Sequence, residues 1–407
     1  MESASPSAPP ESSPFSTAPQ PTPPKRIGRY QLCFELASGG MASVYLARAT
    51  GGAPGFEKLV ALKRIHPHLA SETDYVEMFL DEARIASRIT HANVCSVFDF
   101  GDADGEYFIA MEYLVGEPLS RVHRRVVANA DQRSSKLLPA RMARVIASAC
   151  EGLHAAHELK DDTGETLHVV HRDVSAENLF VTYDGVVQVV DFGIAHAKQR
   201  VHHTSAGQVK GTFPYMAPEQ MTAAVVDRRV DVWALGAVLW ELLTLRRLFL
   251  RDTDVNTMYA VLSGEIRPPS DYRKDVPQEL DEIVLRALQR NPEERWQDAR
   301  EMGKALRRFL ARQAELIGPA ELGDWMQELF PTGAQRKRQL MEIARSGEQS
   351  RSTETEPQRP RPKREAGEIP ETRRRSAPGA PPLGISLLAL ALGGAVITLM
   401  LALQWLN

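Results

Sequence analysis

The architecture of this chain can be predicted from one segment, which reads His171-Arg172-Asp173-Val174-Ser175-Ala176-Glu177-Asn178-Leu179-Phe180 and continues, after a turn at Asp184-Gly185, to Asp191-Phe192-Gly193. The apolar stretches 179–181 and 186–190 have the composition of β-strands, and the turn between them lets them fold back on each other. Such a hairpin brings the side chains of Asp173, Asn178 and Asp191 together. The sequence therefore predicts a single cleft lined by side-chain oxygen atoms.

A cleft of this kind suits phosphoryl transfer. The transferred group spreads its charge over several oxygens, so the protein contributes mainly position and electrostatics. Mg²⁺ prefers oxygen ligands, and one further carboxylate must face the incoming hydroxyl. The order His-Arg-Asp, then Asn, then Asp-Phe-Gly matches the protein-kinase signature. On these motifs the chain resembles a membrane-anchored member of the eukaryotic-like serine/threonine protein kinases of bacteria, over roughly residues 30–310.

The resemblance implies an α+β fold, the two-lobed protein kinase fold. A small antiparallel β lobe with one helix is expected over residues 28–116, and a larger, mainly helical lobe over residues 117–312. Within the second lobe, Asp231 matches an aspartate that holds the backbone of the catalytic loop, and Arg295 matches an arginine that pairs with Glu219. Both roles are structural, so substitution is expected to lower stability before it affects chemistry.

A glycine-bearing turn between two strands lies in residues 30–47. Glycine lets backbone amides approach a triphosphate closely. Ala37 and Ala42 stand where the family usually has glycine, so Gly39, with Gly40 beside it, is what remains of the G-x-G-x-x-G set. The resemblance implies that this lobe encloses ATP, with nucleotide contacts from Leu36, Gly39, Gly40, Val44, Ala61, Lys63, Glu112 and Leu114.

Lys63 lies in an alternating strand and matches the family's nucleotide-binding lysine, although a lone strand lysine is more often a solvated edge charge. Apolar residues at helical spacing predict a helix over residues 75–88, which carries Asp81 and Glu82. The resemblance makes Glu82 the partner of Lys63 in holding the phosphates, and Asp81 is the fallback. By position alone, the hinge is formed by the gatekeeper Met111 and by the backbone of Glu112 and Leu114.

Three side chains take the chemical roles that the resemblance implies. Asp173 accepts or orients the proton of the substrate hydroxyl, a role typically worth about 10²- to 10⁴-fold in rate. Asp191 holds a Mg²⁺ ion that bridges the phosphates, and Asn178 holds the second ion. The predicted reaction transfers phosphate from ATP to a serine or threonine hydroxyl of a protein, with Mg²⁺ as the cofactor.

The activation segment offers further hydroxyl groups. In the family that the chain resembles, an arginine at the position of Arg172, beside the catalytic aspartate, commonly binds a phosphate on the activation segment. The bidentate ion pair then orders the loop. Thr204 and Ser205 are the favoured acceptors for that phosphate, with solvated loop hydroxyls as the alternative. Thr212 lies in the sequence Gly211-Thr212-Phe213-Pro214-Tyr215, the substrate-docking end that favours serine/threonine specificity.

One departure keeps a second class of function open. Serine/threonine kinases usually carry lysine two residues after the catalytic aspartate, and here that residue is Ser175. A missing cation near the transition state lowers the rate. The alternative is a pseudokinase, a nucleotide-binding scaffold that recruits partners at the membrane. A third alternative, a small-molecule phosphotransferase, is disfavoured by the Ala217-Pro218-Glu219 segment.

Composition describes the regions outside the two lobes. A formal net charge of -3 argues against a general nucleic-acid partner, and the 3 cysteines lack metal-ligand spacing. Residues 1–27 are predicted to be a disordered Pro/Ser-rich tail without a secretory signal, and residues 346–382 a disordered juxtamembrane linker. Residues 313–345 are assigned to a helical extension. Within it, apolar residues at helical spacing over residues 319–330 predict a helix that we expect to pack on the helical lobe, with a membrane-surface or partner helix as the alternative.

The last segment, residues 383–407, is predicted to be a transmembrane helix. Residues 385–406 contain no charged side chain, and a helix of that length, at about 1.5 Å per residue, spans the ~30 Å apolar core of a bilayer. Arg373-Arg374-Arg375 marks the preceding side as cytoplasmic. We therefore expect a single-pass C-terminal anchor in the bacterial inner membrane, with the kinase in the cytoplasm. A homodimer is left open, because the adjacent Gly393 and Gly394 do not have the G-x-x-x-G spacing.

Overall fold

The structure, a computed structural model, describes residues 26–50, 57–192, 213–222 and 225–346. Thr204, Ser205, Thr212, most of the predicted tail and nearly all of the predicted linker lie outside these residues, as does the predicted transmembrane helix. Among the helices that the structure describes, none combines the length and the apolar composition that crossing a bilayer requires.

A six-stranded antiparallel sheet forms the first lobe. Its spatial order is β1-β2-β3-β4-β6-β5. The strands are β1 Arg26–Ile27, β2 Tyr30–Ser38, β3 Ala42–Ala49, β4 Lys58–Ile65, β5 Val97–Ala103 and β6 Glu106–Glu112. Side chains alternate between the two faces, so Val60 and Leu62 of β4 pack on one face while Ile65 packs on the other, against helix α1 (Thr73–Ala86). The same alternation places Lys63 on the face that carries α1.

Arg26 and Ile27 correct the predicted boundary of the N-terminal tail. Composition assigned both residues to the disordered segment 1–27, but they form β1 and pair with Gln31 and Tyr30 of β2. Ile27 is 1% exposed and belongs to the core of the sheet. A single buried isoleucine at the end of a polar segment extends the sheet. The average composition of the segment does not reveal such a residue.

The second lobe is mainly helical and is organised around one large hydrophobic core. Its helices are α2 Leu119–Ala128, α3 Ala130–Ser134, α4 Leu138–His157, α5 Pro218–Met221, α6 Arg229–Thr244, α7 Asp254–Ser263, α8 Pro269–Tyr272, α9 Gln278–Ala287 and α10 Ala299–Leu310. A small antiparallel sheet, β7 Gly116–Pro118, β8 Leu179–Thr182 and β9 Val187–Val189, lies where the chain leaves the first lobe. Short 3₁₀ turns occupy Phe213–Tyr215 and Pro292–Glu294.

Helix α3 lies in a mostly polar segment, residues 128–136. Asn129 caps this helix, because its side-chain oxygen accepts hydrogen bonds from the amides of Asp131 and Gln132 at 3.0 and 3.2 Å. A good N-cap therefore starts a short helix where the composition favours a loop.

Two helices follow the second lobe, α11 Pro319–Leu329 and α12 Gly333–Ser346. Helix α11 buries its apolar side in the core of the helical lobe, in the direction that its spacing predicted. Helix α12 instead reaches the first lobe, where Ala344 packs against Phe34 and Leu46. The sequence predicted that the extension packs on the helical lobe, and no pattern in it indicates this second contact.

Candidate active site

Lys63 joins the two lobes through its ammonium group. Its Nζ lies 2.8 Å from Glu82 Oε1 on α1 and 3.0 Å from Asp191 Oδ1 of the second lobe. Glu82 is buried, three residues after Phe79 and four before Ala86, which are also buried, so the helical period aims it at the sheet. Asp81, the fallback partner, instead pairs with Arg84 at 2.7 Å.

Burial sets the electrostatics of this trio. It raises the pKa of Glu82 to about 7, against the opposing attraction of the Lys63 ammonium. For Lys63, burial acts to lower the pKa, but the carboxylates of Asp191 and Glu82 outweigh it and hold the pKa above its ordinary value. Lys63 therefore stays a cation between two acidic groups, as an anchor for phosphate oxygens must.

Asp173 is fixed by Asn178. The Asn178 Nδ2 donates hydrogen bonds to the Asp173 carboxylate at 2.9 Å and to its carbonyl at 2.8 Å. The Val190 amide in turn donates to the Asn178 carbonyl at 3.0 Å, which brings the following residue, Asp191, to the same end of β8 and β9. The hairpin thus places the three predicted oxygen-bearing side chains around one cleft.

The backbone of the catalytic loop is held by a buried carboxylate. Asp231 is 0% exposed, and its two carboxylate oxygens accept hydrogen bonds from the backbone amides of His171 and Arg172, each at 2.8 Å. Arg172 has a φ of 67°, a left-handed conformation that needs such support. Burial acts to raise the pKa of Asp231, but the hydrogen bond from His157 and the loop amides hold it below its ordinary value. Asp231 therefore stays charged in the core.

His157 takes part in this support. Its Nε2 lies 2.8 Å from Asp231 Oδ2, and both side chains are almost completely buried. A lone histidine at the end of a helix has no distinctive pattern, so the sequence does not indicate this role. The carboxylate that contacts it lies on α6, far along the chain.

Asp191 and Phe192 complete the wall of the cleft. Asp191 also has a left-handed backbone, with a φ of 53°. Phe192 is 2% exposed, and its ring centroid lies 4.8 Å from that of His171. A cavity of about 20 Å³, room for about one water molecule, lies beside the Lys63–Glu82 pair, and the predicted gatekeeper Met111 is among the residues that line it.

The donor set fits a divalent cation that nucleotide oxygens help to hold. Within the described part of the chain, no group of three or more His, Cys, Asp or Glu side chains is placed so that it could hold a metal ion by itself. Asp191 contributes a carboxylate, of which Oδ1 contacts Lys63. The amide nitrogen of Asn178 donates to Asp173, so the amide oxygen of Asn178 can face a cation. Mg²⁺ is commonly bound by one or two protein oxygens together with substrate phosphates.

The predicted nucleotide contacts lie on the strands above this cleft. Leu36 and Val44 belong to β2 and β3, Val44 pairs with Lys63, and Ala61 pairs with Met111. A Cβ added at Gly40 would meet nothing within 4 Å, so packing inside the protein does not require glycine there.

The backbone groups of the hinge could form hydrogen bonds with the adenine base of a nucleotide. The Glu112 amide donates to the Ser96 carbonyl at 2.9 Å, and the Glu112 carbonyl lies 3.7 Å from Cys95 Sγ. Within the described residues we find no hydrogen bond to the amide or carbonyl of Leu114, and both groups are available to an adenine ring.

Arg295 and Glu219 form a bidentate ion pair in the helical lobe. The distances are 2.6 and 2.7 Å, and Arg295 is 0% exposed. The pair ties α5, at the end of the activation segment, to the loop before α10. The sequence predicted this pairing from the resemblance alone.

A lysine that pairs with a glutamate of its own lobe and with an aspartate of the other, above a loop that bears a further aspartate and an asparagine, defines a phosphotransferase with the two-lobed protein kinase fold. The comparison with known families agrees: residues 30–305 match the family described as protein kinase domain, and the chain belongs to that family. Membership implies the use of ATP and a divalent metal ion.

Several characterised proteins are similar to this chain. The tyrosine-protein kinase MasK of Myxococcus xanthus is 44% identical over 303 residues, which cover 74% of this chain and 46% of MasK. The serine/threonine-protein kinase PknB of Mycolicibacterium smegmatis is 34% identical over 72% of this chain and 45% of its own length. For the serine/threonine-protein kinase PrkC of Bacillus subtilis the identity is 32%, over 68% of this chain and 40% of PrkC.

Solved structures agree with this fold. The kinase domain of PknI from Mycobacterium tuberculosis is 26% identical with a TM-score of 0.51, and the match covers 70% of this chain and 97% of that domain. The chain spans about half the length of the curated relatives it matches.

Proposed function

We propose that this chain transfers the γ-phosphoryl group of ATP, with Mg²⁺, to serine or threonine hydroxyls of protein substrates. The observation that carries the proposal is the contact of Lys63 with both Glu82 and Asp191, at 2.8 and 3.0 Å. A kinase needs these groups assembled before it can hold the phosphates.

Each side chain has a defined task in this proposal, and Asn178 has two. Asp173 faces the substrate hydroxyl and accepts or orients its proton, and Asn178 keeps that carboxylate in place. Lys63 holds the α- and β-phosphates, and Glu82 keeps the ammonium in position. Asp191 and Asn178 supply oxygen ligands to Mg²⁺, which neutralises phosphate charge when bound.

The acceptor hydroxyl is the point on which the relatives differ. PknB and PrkC are named serine/threonine-protein kinases, and MasK is named a tyrosine-protein kinase. The docking sequence Gly211-Thr212-Phe213-Pro214-Tyr215 supports serine or threonine as the acceptor. A tyrosine acceptor is the outcome that would correct this part of the proposal.

Ser175 supports the alternative of a pseudokinase scaffold, since a cation usually stands at this position. The assembled Lys63–Glu82–Asp191 contacts support catalysis instead. A Ser175→Lys variant separates the two: we expect a slow enzyme to gain phosphoryl-transfer rate, whereas a scaffold would gain none.

We further propose that the chain is anchored in a bacterial inner membrane through residues 383–407, with the kinase in the cytoplasm. Local concentration at the membrane would favour phosphorylation of Thr204 or Ser205 in trans by a second copy. Support comes from Arg172, whose buried Nε has no hydrogen-bond partner among the described residues. Deletion of residues 383–407 should release the chain to the soluble fraction and lower phosphorylation of the segment; unchanged phosphorylation would reject the anchor's role.

The enzyme proposal is tested by incubating the full chain with labelled ATP, Mg²⁺ and a panel of protein substrates. The matched pair is Asp173→Ala and Asp162→Ala, because the Asp162 side chain is fully exposed on a hairpin. We expect labelling to persist in the second variant and to fall by about 10²-fold or more in the first. Hydrolysis of the products to phosphoamino acids then identifies the acceptor. Equal labelling by the two variants would overturn the proposal.

A further inference from the structure

Helix α11 is seated firmly on the helical lobe. Trp325 is 1% exposed, and its Nε1 donates to Gln132 Oε1 at 2.7 Å. The helix also lies directly on the β8–β9 turn: a Cβ added at Gly185 would stand 1.8 Å from the Pro319 carbonyl oxygen. Gly185, with a φ of +76°, is required both by the turn and by this close approach.

Helix α12 begins on the same lobe and crosses the hinge. A Cβ added at Gly333 would stand 1.9 Å from the Tyr183 hydroxyl, so the helix starts against β8 and its turn. One turn later the Lys337 Nζ lies 5.6 Å from the Phe180 ring centroid and 6.0 Å from that of Tyr113 in the hinge. Burial lowers the pKa of Lys337, as expected for an ammonium covered by these rings.

The second half of α12 packs on the sheet of the first lobe. Ala344 is 3% exposed and forms a cluster with Phe34 and Leu46. Leu340 and Ile343 pack at the edge of this cluster, which also includes Leu36, Leu59 and Tyr113. The contact is reinforced where Arg48 Nη1 donates to the Arg345 carbonyl at 2.8 Å.

One helix therefore touches both lobes and two elements of the nucleotide site from their outer side. Leu36, one of the predicted nucleotide contacts, lies on β2 in the roof of the site, which the strands above the cleft form, and Tyr113 lies between the hinge residues Glu112 and Leu114. Separation of the lobes, or displacement of β2 from the hinge, would pull Leu340 out of its apolar cluster.

We propose that α12 is a lobe clamp that positions the roof and the hinge for nucleotide binding, with Leu340 as its positioning residue. The proposal rests on the nucleotide site of the proposed function and adds a regulator to it. Any event that lifts α12 would weaken ATP binding while leaving Asp173 and Asn178, on the helical lobe, in place.

The first test compares three variants of the full chain. Leu340→Asp puts a charge into the cluster, Gln339→Asp puts the same charge on the exposed side of the helix, and Leu340→Met restores an apolar side chain. We expect Leu340→Asp to raise KM for ATP about tenfold with kcat within about twofold, and the other two to match the unmodified chain. An unchanged KM in Leu340→Asp, or an equal rise in Gln339→Asp, would overturn the clamp.

The second test needs no variant. Coupling is reciprocal, so binding of a non-hydrolysable ATP analogue should slow amide hydrogen exchange in α12 by the same linkage. Helix α10, which packs against α4 within the helical lobe, serves as the internal control. Unchanged exchange in α12 at saturating analogue would also overturn the clamp.

A failure of the proposed function is distinguishable from a failure of the clamp. The dissociation constant of the ATP analogue, measured for the same three variants, requires no phosphoryl transfer. A chain that binds the analogue but labels no substrate would end the kinase proposal, while a tenfold loss of affinity in Leu340→Asp alone would still support the clamp.

Discussion

Substitution of Glu219 by Gln should destabilise the helical lobe strongly. A guanidinium carries five N–H donors, and the structure gives Arg295 five acceptors: both oxygens of Glu219 and the carbonyls of Arg229, Gln289 and Arg290. An amide at position 219 offers one oxygen and turns an NH₂ group toward a donor. One N–H loses its acceptor, which costs about 1–3 kcal/mol, and the buried charge loses its counter-ion. We therefore expect the free energy of unfolding to fall by about 3–5 kcal/mol.

Urea denaturation of the full chain measures this loss, with an unchanged m-value as the condition for comparison. A double-mutant cycle with Arg295→Met isolates the pair. Because the double variant leaves no uncompensated buried charge, it should be more stable than the sum of the two single losses predicts. A loss below about 1 kcal/mol for Glu219→Gln, or additive losses in the cycle, would refute the reasoning.

Three further outcomes follow from the cleft. Lys63→Met should lower kcat/KM for ATP by about 10²- to 10³-fold, whereas Arg64→Met, the neighbouring cation on the same strand, should have little effect in the same steady-state assay. Because burial raises the pKa of Glu82 to about 7, from an ordinary 4.5, the folded state keeps a proton that the unfolded chain releases. The nucleotide-free chain should thus lose stability as pH rises from about 4.5 to about 7, and denaturation at pH 5 and 7 should show a loss that is absent in Glu82→Gln. Asp231→Asn, which leaves one loop amide facing an NH₂ group, should cost about 1–3 kcal/mol in urea denaturation and lower kcat.

Much of the cleft could be predicted because its residues follow local periods. Alternation along β4 put Lys63 on the face of α1, and the helical period puts Glu82 with the buried residues Phe79 and Ala86. The same period places Asp81 beside Arg84 on the exposed side, which settles the choice that the sequence left between the two acids.

The rest depends on contacts that no local pattern encodes. His157 and Asp231 meet across the core although their segments carry no shared motif. Helix α12 is even harder to place, because its apolar residues define a face without saying which surface covers it. Its partners, Phe34 and Leu46, lie near the other end of the chain. Long-range docking of this kind is determined by shape and burial, which become visible in the folded structure.

The position of α12 has a practical consequence for anyone who excises the catalytic domain. The family match ends at residue 305, and a fragment cut there would keep Leu36 and Tyr113 but lose the helix that covers them. Phe34 and Leu46 would then face solvent, and an uncovered apolar patch invites aggregation. Under the proposed clamp, such a fragment would bind nucleotide-site inhibitors more weakly than the full chain does, so a fragment for screening should extend through Ser346.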